Sequence, residues 1–114
     1  GGTVEFSLSV SDNAGRAVVS VGGELDVYTA PELEERLAAL IDEGRVAIIV
    51  DLTDVSFMDS TGLGLLIKVL KWTREKGGSL DVVANSEKTL KVFRITGLDG
   101  VISLHGSVAE ALGA

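Results

Sequence analysis

The chain has 114 residues, enough for one ordinary domain and one real core, since a chain this size buries roughly 60–70% of its unfolded surface. Ten basic against 17 acidic side chains leave a net charge of −7, which disfavours nucleic acid and anionic membrane as partners, and the absence of cysteine excludes a disulfide framework, a thiolate zinc site and a cysteine nucleophile. No apolar run approaches the ~20 residues that span a bilayer. Gly1-Gly2-Thr3 lacks the basic-then-apolar order of a signal peptide, and the two glycines read as a truncation or tag remnant.

Phe6, Leu8 and Val10 alternate with Ser7 and Ser9, the period of a half-buried strand. Residues 11–15 predict a turn and residues 17–21 a second strand, so the two make a hairpin. Thr29 and Glu32 have the spacing of a capping box, with Pro31 in the first helical turn, and Leu33, Leu37, Leu40 and Ile41 form one apolar stripe. Gly44 closes that helix. Residues 46–50 are apolar without alternation, as in a strand covered on both faces, and residues 51–57 lead out of it. A second helix runs from about Ser60 to Lys76, stopped by Gly77-Gly78. A strand over 80–84 follows. The third helix is capped by Asn85 or Ser86, carries Leu90 and Phe93 and ends at Gly97. A last strand over 101–104 and a tail helix over 108–112 complete the chain. The order β-β-α-β-α-β-α-β-α predicts an α/β fold. It is a mixed, mostly parallel sheet of four to five strands with an antiparallel edge hairpin, packed with about four helices.

The chemistry concentrates in Phe57-Met58-Asp59-Ser60-Thr61-Gly62-Leu63-Gly64, between a buried strand and a helix, where open α/β sheets gather their binding sites. Asp59 is placed to cap the helix, and Ser60 falls in its first turn. At 100° per residue, Leu63, Leu66, Ile67 and Leu70 share one face, widened by Leu65, Val69 and Trp72. Ser60, Gly64, Lys68, Lys71 and Glu75 form a narrow polar flank. A glycine on an exposed helix costs roughly 0.5–1 kcal/mol relative to alanine, so Gly64 serves either internal packing or the close approach of another backbone. Gly23-Glu24-Leu25-Asp26 opens on the same sheet edge, and Asp26 either satisfies its own turn or positions the Ser60 hydroxyl. A phosphate on Ser60 would add about −1.5 to −2 charges at a helix N-terminus, which favours anions. Modification there therefore changes the surface rather than the fold. Ser60 equally suits simple capping.

Enzyme readings lack parts. The one histidine, His105, reads as a surface or edge residue, and no G-x-S-x-G elbow, P-loop or dinucleotide fingerprint is present. No cluster of ligating side chains suggests a metal.

Residues 57–64 resemble the phosphorylation motif of bacterial anti-sigma factor antagonists. Gly23-Glu24-Leu25-Asp26 resembles their upstream loop, and Val92-Phe93 with Thr96-Gly97-Leu98 is similar to their third-helix ending. Order and spacing agree from about residue 4 to 112. The resemblance implies a single STAS domain over 1–114 and a cytoplasmic regulatory role without catalysis, cofactor or metal, most simply as a monomer. It implies that the unmodified chain binds an anti-sigma factor, a serine kinase of the histidine-kinase-like ATPase type, and so frees a sigma factor. Phosphorylation at Ser60 breaks that complex, and a serine phosphatase restores it. The partner-binding residues it implies are Asp26, Asp59, Ser60, Thr61, Gly62, Gly64, Lys68 and Lys71. Thr61 stands where many relatives have serine, as a structural residue or second acceptor. The alternative is an unmodified STAS scaffold or interaction module of a larger signalling assembly.

Overall fold

A two-residue turn starts the sheet. Ala14 and Gly15 both have positive φ, 52° and 80°, the paired left-handed geometry that suits strand twist in a tight hairpin. The computed structural model describes residues 5–114, so the readings on Gly1-Gly2-Thr3 fall outside the described residues. Strand β1 (Ser7–Asn13) pairs antiparallel with β2 (Arg16–Leu25) as far as Asn13↔Arg16. Both strands outrun the sequence expectation. Ser11, Asp12 and Asn13 look like a turn, but on an exposed edge strand no apolar residue is required of them. Gly23-Glu24-Leu25 is likewise strand rather than loop, paired with Val55, Phe57 and Met58 across register shifts that place the extra residues in the facing strand.

Helix α1 (Ala30–Asp42) buries Leu33, Leu37, Leu40 and Ile41 as the stripe predicts. The expected capping box is not formed. The Thr29 hydroxyl donates to the Glu24 carbonyl at 2.8 Å and accepts from the Asp26 N–H at 3.0 Å, so it faces back into the loop and gives no cap to the helix. Strand β3 (Ala47–Met58) runs 12 residues, because the stretch read as an exit segment stays paired with β2 to Met58. Ile48, Ile49 and Val50 are fully buried, as their unbroken apolar run requires. Helix α2 (Ser60–Glu75), β4 (Ser79–Val83) and α3 (Glu87–Thr96) follow. A 3-10 turn at Leu98–Gly100 then takes the N–H groups of Val101 and Ile102 onto the Leu98 carbonyl, which delays β5 to Ser103–His105. The chain ends in α4 (Val108–Gly113).

The strand order is β1-β2-β3-β4-β5, antiparallel at the first pair and parallel elsewhere. One main core lies under α1, α2 and α3, with Val19, Val21, Val50, Leu66, Val82 and Phe93 at or near zero exposure. On the opposite sheet face a smaller cluster joins Val18, Ile49 and Val83 to Ala111 of α4. Beside it, Arg16 and His105 both bond Asp81, the imidazole Nε2 at 3.0 Å from Oδ1, and Arg16 Nη1 also donates to the Ala111 carbonyl at 2.8 Å. His105 does lie on an edge strand, but its side chain is only 16% exposed. Among the described residues, no helix is long and apolar enough to cross a membrane.

Candidate functional site

The parallel strands β2 and β3 end level with each other, Leu25 opposite Met58. The Asp59 N–H then donates to the Leu25 carbonyl at 3.2 Å, tying the start of α2 to the exit of β2. Asp59 is the N-cap of α2: its Oδ1 accepts from the Thr61 N–H at 2.9 Å, satisfying one donor that the helix leaves open. Removing that cap with Asp59→Ala is expected to cost about 1 kcal/mol of stability, read from denaturant melts.

Ser60 and Thr61 are exposed in the first turn, and Gly62 is buried beneath them. A Cβ on Gly62 would stand 2.8 Å from Met58 Cγ and 3.0 Å from Leu25 Cγ, so this turn sits directly on the two strand ends. Gly64 differs. A Cβ there would meet nothing within 4 Å, which removes internal packing as the reason for that glycine.

Asp26 keeps its carboxylate for its own loop. Oδ1 accepts from the N–H groups of Tyr28 at 2.9 Å and Thr29 at 3.1 Å, the local turn role, and no hydrogen bond joins it to Ser60 among the described residues. The polar flank of α2 is exposed at Ser60, Gly64, Lys68, Lys71 and Glu75 as expected. Lys68 is engaged, its Nζ 2.8 Å from Glu34 Oε1 of α1 and 5.4 Å from the Trp72 ring centre. Thr61, Gly64 and Lys68 line an open groove against Val27, Pro31 and Glu34. Thus the site brings together Asp59, Ser60, Thr61 and Gly64, with the Asp26 loop alongside. Lys71 lies farther down the helix.

Ile67 departs from its assignment to the apolar face, being 42% exposed. The buried arc is centred between Leu66 and Thr73, and Ile67 lies past its edge, only about 20° from Ser60 on the helical wheel. The sequence reading gave no role to Val27, Tyr28 or Lys88, and none of its own to Phe57 within the motif. Val27 and Tyr28 are 57% and 88% exposed in the β2–α1 loop, while Phe57 is exposed at the end of β3 with Lys88 Nζ 5.8 Å from its ring centre. The chain's one tyrosine, in a loop that periodicity assigns to no core, was the available signal for the first pair.

The STAS domain family profile matches residues 6–111. The anti-sigma-B factor antagonist of Bacillus subtilis is 39% identical over 101 residues, covering 89% of this chain and 92% of that protein. The protein of the same name in Staphylococcus epidermidis is 46% identical over 87 residues, covering 76% and 81%. Among solved structures, an anti-sigma factor antagonist from Mycobacterium paratuberculosis superposes with a TM-score of 0.88 at 34% identity, covering 96% of this chain and 92% of that one. The Bacillus cell fate determinant SpoIIAA in its phosphorylated form superposes with a TM-score of 0.72 at 25% identity, covering 96% and 97%.

Proposed function

The chain belongs to the STAS domain family, and from that premise we propose that it is an anti-sigma factor antagonist whose docking is switched by phosphorylation of Ser60. The unmodified face binds an anti-sigma factor that is also a serine kinase, a sigma factor is released, and a serine phosphatase reverses the modification. The observation that carries this reading is the exposure of Ser60 on a turn seated on the strand ends. A kinase can reach the hydroxyl, and a phosphate there would stand on the surface, outside the core. The open N–H groups and dipole of α2 favour the dianion in the free chain. A partner surface built around a neutral hydroxyl would have to bury that charge unpaired, which is costly. The names of the relatives support the target class, and a relative known in a phosphorylated form supports the modification.

The exposed Val27, Tyr28 and Ile67 supply apolar contact around Ser60, and Gly64 leaves room for a partner backbone. Asp59, Thr61 and Gly62 shape the turn, while Asp26, Lys68 and Lys71 supply the charged surround. Incubation with ATP and candidate anti-sigma kinases from the same genome, followed by phosphosite mapping, tests the assignment. Phosphate on Ser60 is the expected result. Its absence both there and in protein isolated from growing cells would favour an unmodified scaffold.

Gly64 separates binding from folding. Gly64→Ala is expected to raise stability by about 0.5–1 kcal/mol, because the side chain enters open space and the unfolded chain loses freedom. Gly64→Arg is expected to leave the melting temperature near that of the parent while weakening the complex. A large loss of stability would return Gly64 to internal packing.

A further inference from the structure

We infer that the outer edge of β1 is a self-association surface, on which a second copy of the chain pairs its own β1 antiparallel about Ser9. This inference is independent of the phosphorylation reading. Strand β1 pairs only with β2, so one side of a seven-residue strand presents its backbone donors and acceptors to solvent among the described residues. Edge strands are commonly protected by lysine, proline, a bulge or short length. Here the register with β2 is unbroken from Ser7 to Asn13, and the strand contains neither lysine nor proline. Its one charge, Asp12, is paired with Arg45. The opposite edge, β5, is protected by being three residues long.

The sequence suits a two-fold partner. Ser7-Leu8-Ser9-Val10-Ser11 has the same residue classes in both directions. An antiparallel register centred on Ser9 sets Leu8 against Val10 and Ser7 against Ser11, because directly opposed residues share a face. Phe6 then opposes Asp12 and Glu5 opposes Asn13, so no two carboxylates confront each other. Phe6, Leu8 and Val10 pack on the main core but remain half-buried, and a second copy would complete their cover. The two-fold axis stands perpendicular to the sheet, so ten strands join with the main helical layers on one side. This geometry predicts a concentration-dependent dimer where the sequence alone suggests a monomer.

Sedimentation over a concentration series tests it. Ser9→Lys sets two ammonium groups side by side at the axis on an exposed position. It is expected to weaken dimerisation at least about fivefold with an unchanged melt in dilute solution, whereas Ser9→Thr preserves it. Because the chain has no cysteine, single replacements report the register. Ser9→Cys should oxidise to a covalent dimer. Ser7→Cys alone should not, its two copies lying about 13 Å apart along the strands, but should cross-link when mixed with Ser11→Cys. A monomer at every soluble concentration overturns the inference, as does a dimer that cross-links at Ser7 alone and not at Ser9.

Discussion

Ser60→Asp is expected to lower affinity for the anti-sigma factor by about 10²–10³-fold, while Ser60→Ala stays within about threefold of the parent. The contrast follows from where the charge is tolerated. In the free chain an aspartate at this position lies in the first turn of α2, where the helix dipole contributes a few tenths of a kcal/mol in its favour, so folding is preserved. In the proposed complex the same carboxylate would enter a surface shaped for a hydroxyl, where an uncompensated buried charge costs about 3–5 kcal/mol. Titration calorimetry against the purified partner, with thermal melts of each variant, reads both halves. Equal binding by the two variants would reject a charge-operated switch.

Asp81→Ala is expected to destabilise the fold by about 3–5 kcal/mol, the cost of breaking a largely buried ion pair. Asp81 is 14% exposed and is the shared acceptor of Arg16 and His105, which are themselves 17% and 16% exposed. Its loss strands a guanidinium and an imidazole beside the cluster that α4 covers. Replacing the pair together, Arg16→Met with Asp81→Leu, should recover much of the loss, because an apolar pair of similar volume has no charge to desolvate. Denaturant unfolding of the parent and the two variants distinguishes the outcomes. Equal stability of the single and double variants would mean that packing, not charge, accounts for the loss.

Much of this architecture was legible because burial imposes periodicity. The stripe of α1, the two-sided burial of Ile48 to Val50 and the cap at Asp59 follow from side-chain spacing alone. The strand ends were not legible. Gly22, Asp51, Thr53 and Asp54 have loop chemistry, yet backbone pairing with neighbours carries β2 and β3 through them. Ile67 shows a related limit: a helical wheel gives angles but not where the sheet lies, and the arc shifted enough to leave it exposed. At the site, Asp59 and Ser60 stood out by position, whereas the emptiness around Gly64 depends on neighbours far away in sequence, and the choice of Asp26 for its own turn, on the N–H groups of Tyr28 and Thr29, depends on the backbone path of that loop.

The hydrogen bond between the Leu25 carbonyl and the Asp59 amide joins main chain to main chain, and so it is indifferent to side-chain identity. Substitution of the exposed Val27, Tyr28 or Phe57 therefore changes the surface around α2 while leaving in place the tie that sets the helix on the strand ends.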